Sequence, residues 1–221
     1  RSSNPQGLIC EQWLDAAQSA GMNYAVLTTK HQDGFCLWDS AATKKDVAST
    51  PYKKDIVRQF VDGLRKREMG VGLYFSIWDQ DKDRERGRIT PEKIKDIKTQ
   101  LTELLSNYGP IDYLWLDAYE NIERERCTYP TVREVPWEEI YGLAKKLQPN
   151  CLVMRHPGSQ YDTAFSDIQI WEGAFHRANI MKFYERFLKE HPGRPQEICD
   201  TLQGNKWHWR GDCPLEQLKS V

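Results

Sequence analysis

Asp117 closes an apolar run at residues 111–118, whose sequence IDYLWLDA has the pattern of a buried strand. A carboxylate beside buried apolar residues costs free energy unless water, a cation or a ligand compensates for its charge. Such a group can serve as a nucleophile or as a general base. Asp117 is therefore the first candidate catalytic residue, and an aspartate that caps the following loop is the structural alternative.

Other side chains with useful chemistry also follow apolar runs. In a parallel β/α fold the carboxyl ends of the strands meet at one mouth, so the residues that follow the strands come together there. Glycoside hydrolysis needs a nucleophilic carboxylate, a second carboxylic acid for the leaving oxygen, and polar groups that hold hydroxyls. The run ends supply that set: Lys30, His31, Gln32, Asp33, Gly34, residues 74–79, Trp115, Asp117, Arg155, His156, Trp171, Glu172 and Glu197.

Several other chemistries lack their motifs in this sequence. There is no G-x-S-x-G elbow, no H-E-x-x-H pair and no G-x-x-x-x-G-K-[ST] loop. The six cysteines form no C-x-x-C pair, which argues against a zinc ribbon or a thioredoxin-like site. The nearest approach to a metal-binding pair is His31-x-Asp33, and we expect neither a metal nor another cofactor.

The elements that must position these residues alternate along the chain. Six apolar runs resemble strands, at residues 23–30, 71–78, 111–118, 151–155, 166–171 and 196–202. Runs with helical spacing separate them, at residues 11–20, 53–68, 91–107, 136–147 and 178–190. This alternation predicts an α/β fold built as a (β/α)8-like, TIM-type barrel. Six strands are two fewer than a closed eight-stranded barrel has, so either the barrel is irregular or it is truncated at both ends. No linker interrupts the pattern, so residues 1–221 are expected to form a single catalytic domain.

Composition restricts the partners. The 31 basic and 32 acidic residues nearly cancel, which gives no reason to expect a nucleic acid or an anionic membrane surface as a partner. No apolar run reaches the roughly 20 residues of a membrane span, so none is expected. The first residues, RSSNPQGL, lack the apolar stretch of a signal peptide, and neither the compartment nor the oligomeric state can be read from the chain.

The run-end segments resemble glycoside hydrolase family 29, the α-L-fucosidases. The resemblance extends over residues 4–40, which contain the specific block KHQDGFCLW, and continues through residues 46–79 and the segment NYGPIDYLWLDA. It fades between about 119 and 195 and returns weakly in PQEICDTLQGNKWHW. The resemblance implies a retaining exo-α-L-fucosidase that hydrolyses terminal fucose of glycans or small fucosides, in a secreted, periplasmic or lysosomal location.

The same resemblance assigns roles to individual residues. It places the nucleophile on Asp117 and the acid/base on Glu172 or Glu197, with Glu172 favoured by the order of the family's segments. It assigns substrate binding to His31, Gln32, Tyr74, Trp115 and Arg155. Gln32 stands where the family has the second histidine of a pair, and an amide keeps a donor and an acceptor but does not titrate.

Two other functions fit the same residues. Gln32 and the short ends would also suit a relative that binds fucose without cleaving it. A metal-dependent barrel hydrolase is the third hypothesis, and loss of activity on chelation would be its mark.

Overall fold

The computed structural model describes residues 10–79, 87–117, 132–133, 135–156, 164–172 and 180–199. The chain divides into two compact units, Arg1–Phe165 and Ser166–Val221. The helices are α1 Cys10–Ser19, α2 Ile56–Lys66, α3 Pro91–Asn107, α4 Trp137–Leu147 and α5 Ile180–Glu190. The strands are β1 Tyr24–Lys30, β2 Gly70–Ser76, β3 Gly87–Arg88, β4 Tyr113–Asp117, β5 Val132–Arg133, β6 Leu152–His156, β7 Gln169–Glu172 and β8 Gln196–Cys199.

A parallel four-stranded sheet forms the centre of the first unit, in the order β1-β2-β4-β6. Its register pairs Tyr74 with Trp115, and Asp117 with His156. Paired residues of neighbouring parallel strands project to the same face of the sheet. The register therefore decides which run-end side chains become neighbours.

One face of this sheet is packed against helices. Phe75, Leu114 and Leu116 are almost completely buried in the same core as apolar residues of α2 and α3. The apolar residues of α2 at positions 57, 60, 61 and 64 lie on one side of that helix, as the helical period requires. Because alternate strand residues are committed to this core, the intervening ones must project from the other face.

Local signals fix the starts of two helices in the first unit. The Asp55 carboxylate caps α2 by accepting a hydrogen bond from the Arg58 N–H at 2.8 Å, and Tyr108 donates to the same carboxylate at 2.6 Å. Thr90 caps α3, and Pro91 begins it with the backbone angle that a first helical turn needs.

The second unit contains the parallel pair β7 and β8 with helix α5. Trp171 lies edge-on against Tyr184 and Phe187 of α5, with ring centroids 5.6 and 5.5 Å away. Its indole N–H donates to Gln196 Oε1 on β8 at 2.9 Å. Trp171 and Gln196 therefore lie on the face of the β7–β8 pair that packs against α5.

The sequence predicted every one of the longer strands to within a few residues. It missed the two-residue strands β3 and β5, which pair with each other in parallel. Within the described ranges, no helix is both long enough and apolar enough to cross a membrane. The single domain over residues 1–221 stays a prediction.

Candidate active site

A row of four aromatic rings crosses the sheet of the first unit near the carboxyl ends of its strands. His31 follows β1 and stacks on Tyr74 of β2, with ring centroids 5.5 Å apart. Tyr74 stacks on Trp115 of β4 at 5.0 Å, and Trp115 stacks on His156 of β6 at 5.3 Å. The angles between neighbouring ring planes are 6°, 29° and 14°. Rings of this kind present faces and polar edges that suit a sugar.

The Asp117 carboxylate lies beside this row. The hydroxyl of Tyr74 donates a hydrogen bond to Asp117 Oδ2. Asp117 Oδ1 lies 3.7 Å from Nδ1 of His156, and the Asp117 side chain keeps 14% of its accessible surface. The carboxylate is therefore shielded from most solvent, held on one oxygen by a phenol, and still open enough to meet a ligand.

A β-bulge near the end of β1 sets the direction of His31. Thr28 pairs with Tyr74, but Lys30 pairs with Phe75, so one residue of β1 is left over between them. The shift turns Lys30 toward the helix-packed face, where its Nζ lies 4.1 Å from the centroid of the Phe75 ring. His31 then follows on the face of Tyr74, as the ring stacking shows.

The turn after His31 requires glycine at position 34. The Gly34 N–H donates to the His31 carbonyl at 3.0 Å, and Gly34 has a φ of +76°. A Cβ at this position would lie 2.5 Å from the Asp79 carboxylate oxygens. Both the positive φ and the close carboxylate strongly favour glycine in the turn that carries His31 and Gln32.

Buried polar contacts support this turn from the helix side. Lys30 Nζ donates to Gln100 Oε1 at 3.0 Å, and Gln100 Nε2 lies 3.5 Å from the Cys36 sulfur. Burial raises the pKa of the Cys36 thiol to about 12, so it stays protonated and does not act as a nucleophile at neutral pH. The Trp38 indole donates to Glu103 of α3 at 2.8 Å. The KHQDGFCLW block therefore combines site residues with residues that only support them.

The structure brings together four of the predicted residues, His31, Tyr74, Trp115 and Asp117. Gln32 is half-buried in the turn next to His31.

Arg155 does not join this group. It pairs in register with Leu116, whose side chain is in the helix-packed core, and its guanidinium lies 4.6 Å from the Trp137 ring centroid of α4. Arg155 Nη1 also donates to the carbonyl of Ala164 at 3.3 Å. These contacts hold the Arg155 guanidinium against α4 and the Ala164 carbonyl. They do not support its predicted role in substrate binding, which stays a prediction.

Glu172 and Glu197 belong to the second unit. Ile170 pairs with Glu197 and Glu172 pairs with Cys199, so the two glutamates share one face of the β7–β8 pair. That face is opposite to the one on which Trp171 meets α5. Glu172 is the last residue of its strand, whereas Glu197 is the second residue of β8.

His156 is the site residue that the sequence did not single out. It was among the run-end residues, but the family resemblance assigned substrate binding to Arg155. The register of β4 and β6 pairs Asp117 with His156, which puts His156 and not Arg155 on the face of the aromatic row. No local sequence pattern gives this register, because the two strands are distant in the chain.

The described residues offer no obvious metal site. Across residues 10–79, 87–117 and the later described segments, no three His, Cys, Asp or Glu side chains converge as ligands of one ion would.

Known proteins resemble this chain along its length. The family model described as alpha-L-fucosidase matches residues 3–221. α-L-Fucosidase 1 of Arabidopsis thaliana is 32% identical over 220 residues, a match that covers 93% of this chain and 42% of the relative. The tissue α-L-fucosidase of Homo sapiens is 37% identical over 119 residues, which cover 49% of this chain and 24% of the relative. The chain spans less than half the length of these curated relatives.

Solved structures show the same fold. α-L-Fucosidase isoenzyme 1 from Paenibacillus thiaminolyticus is 32% identical and superposes with a TM-score of 0.62, covering 76% of this chain and 44% of that one. A bacterial fucosidase solved with a pyrrolidine-based inhibitor is 24% identical with a TM-score of 0.71, covering 95% of this chain and 48% of that one. This likeness confirms the predicted fold class, an α/β fold of the TIM-barrel type.

Proposed function

The chain belongs to the α-L-fucosidase family, and on that basis we propose that it removes terminal α-L-fucose from glycans or small fucosides with retention of configuration. One observation carries the proposal: the partly exposed Asp117 carboxylate lies beside a row of sugar-sized aromatic rings and accepts a hydrogen bond from Tyr74. A retaining glycosidase needs such a carboxylate as its nucleophile.

The reaction proceeds in two displacements at the anomeric carbon. In the first, Asp117 forms a bond to that carbon while the bond to the leaving oxygen breaks and a carboxylic acid donates its proton to that oxygen. In the second, the same group, now a carboxylate, takes a proton from water as the water attacks. The bond between Asp117 and the anomeric carbon breaks as the water oxygen bonds to that carbon, which releases fucose and restores both carboxyl groups.

Tyr74 stabilises this cycle through Asp117 Oδ2. Since Oδ2 accepts the phenol's hydrogen bond, Oδ1 is the better candidate for the attacking oxygen. Oδ2 becomes the carbonyl oxygen of the ester and keeps the same donor in the intermediate. The phenol thus holds the carboxylate plane throughout.

Glu172 is the better candidate for the acid/base than Glu197. Catalytic groups of parallel β/α folds stand at the carboxyl ends of strands. Glu172 is the last residue of β7, whereas Glu197 lies two residues before the end of β8. On the same face of the pair, Glu197 is therefore farther from the carboxyl ends of the strands.

The aromatic row supplies the binding surface for the sugar. The rings of Tyr74 and Trp115 stack on each other and on the two flanking imidazoles, so they offer their edges to the sugar, and His31 and Gln32 offer polar atoms for its hydroxyls. All of these groups come from one rigid sheet or from the turn that directly follows it.

A fucose-binding protein without turnover is the second candidate, and Gln32 favours it. An amide in place of an imidazole changes the donor and acceptor pattern around the sugar. Binding of fucose with no release of an aryl alcohol would support this alternative.

The proposal is tested with 4-nitrophenyl α-L-fucoside and the matching β-L-fucoside. We expect hydrolysis of the α-fucoside alone, with α-L-fucose as the first product seen by proton NMR before mutarotation. First formation of the β anomer would show an inverting reaction and reject Asp117 as a covalent nucleophile. Binding without hydrolysis would favour the second candidate.

Tyr74→Phe keeps the stacked ring and removes the hydroxyl that donates to Asp117. We expect kcat to fall by about 10- to 100-fold, the worth of a hydrogen bond to a charged group. KM should change by less than about threefold, because the stacked ring remains. Tyr52→Phe removes a hydroxyl that contacts Gln59 and serves as the control. An unchanged kcat for Tyr74→Phe would remove the phenol from the mechanism.

A further inference from the structure

His156 touches the proposed nucleophile from the side opposite to Tyr74. Its Nδ1 lies 3.7 Å from Asp117 Oδ1, whereas the Tyr74 hydroxyl is on Oδ2. The register of β4 and β6 pairs Asp117 with His156 directly, so this proximity comes from the backbone of the sheet and not from two flexible side chains.

Packing also fixes the plane of the imidazole. The ring is stacked on Trp115 with centroids 5.3 Å apart and planes 14° from parallel. The side chain retains only 4% of its accessible surface. A buried ring held in this way has little freedom to turn Nδ1 away from the carboxylate.

We infer that His156 is a positioning residue for Asp117, an inference that rests on the proposed function. A carboxylate can rotate about its last bond, which exchanges or tilts its two oxygens. The phenol of Tyr74 donates to Oδ2, and Nδ1 of His156 faces Oδ1 at 3.7 Å, so each carboxylate oxygen has its own polar neighbour. The carboxylate is then already in the orientation from which Oδ1 reaches the anomeric carbon, and small errors in such an orientation reduce rates strongly.

Two substitutions separate this role from simple packing. His156→Asn keeps an amide donor at the place of Nδ1 and loses the stacked ring, whereas His156→Phe keeps the ring and loses the donor. If His156 positions Asp117, His156→Phe lowers the rate of fucosyl-enzyme formation by about 10- to 100-fold with little change in KM. His156→Asn then retains a rate within about fivefold of the parent protein.

The measurement is pre-steady-state release of the aryl alcohol from an activated α-L-fucoside, together with labelling of Asp117 by a 2-fluoro-fucosyl fluoride. His191→Phe serves as the matched control, because it makes the same replacement at a histidine whose ring contacts Phe187 and to which no part in the reaction is assigned. The opposite ranking, with His156→Phe active and His156→Asn impaired, would show that the ring only packs. Equal, near-parental rates for both variants would also overturn the inference. A parent protein that neither turns over nor becomes labelled rejects the proposed function itself, which separates the two failures.

Discussion

Replacing Asp117 with glycine is expected to lower kcat for an aryl α-L-fucoside by about 10³- to 10⁶-fold, the loss typical of a deleted nucleophile. The bond that splits the reaction into two easier steps can no longer form. Binding of fucose should persist, because the aromatic row does not depend on this side chain. Steady-state kinetics and fucose binding by calorimetry measure the two effects.

Azide gives this prediction a stereochemical check. In the space left by the missing carboxylate, azide attacks the anomeric carbon directly, and we expect β-L-fucosyl azide as the product. Asp62→Asn is the control, since Asp62 is an exposed carboxylate on α2 that pairs with Arg58. Parental activity in Asp117→Gly would show that the Asp117 carboxylate is not the nucleophile.

Helix positions were predictable because their signals are local. The predicted helix at 91–107 agrees with α3, whose start is marked by Thr90-Pro91. The helix predicted at 53–68 proved shorter, Ile56–Lys66, because Lys53 has a φ of +55° and Asp55 caps the first turn. Apolar spacing locates a helix well, whereas the exact cap depends on backbone angles that spacing does not encode.

The Asp117 position could also be predicted, because one long apolar strand with a terminal acid is a strong local pattern. Its partners could not. Tyr74 and Asp117 are 43 residues apart, and Lys30 and Gln100 are 70 apart, so the register of separate strands and the packing of distant elements decide these contacts.

The choice between Arg155 and His156 shows the limit most clearly. Side chains alternate across a strand, so Arg155 and His156 project to opposite faces, and the register with β4 decides which of them lies beside Asp117. The bulge after Thr28 has the same effect on Lys30 and His31. Residue types alone cannot resolve either case, because arginine, lysine and histidine all suit a sugar-binding mouth.

Glu172→Gln is the second substitution with a large expected effect, and its effect depends on the leaving group. With an alkyl or sugar aglycone, whose oxygen needs a proton as the bond breaks, we expect kcat/KM to fall by about 10²- to 10⁴-fold. With 2,4-dinitrophenyl α-L-fucoside the first step needs no acid, so fucosyl-enzyme should form at a near-parental rate. The fucosyl-enzyme then accumulates, because the variant has no base to activate the water of the second step. A burst of dinitrophenol should therefore precede a slow steady state.

Glu197→Gln is the natural comparison, because Glu197 lies on the same strand face as Glu172 but nearer the amino end of its strand. If Glu172 is the acid/base, azide should release the accumulated intermediate from Glu172→Gln as α-L-fucosyl azide, the anomer opposite to that from Asp117→Gly. The two azides report on the two faces of the anomeric carbon, so they assign nucleophile and acid/base independently of rate. The same burst and the same α-azide from Glu197→Gln, with Glu172→Gln unaffected, would transfer the role to Glu197. In that case the acid/base would be a residue inside β8, and Glu172 at the carboxyl end of β7 would have a substrate-binding role instead.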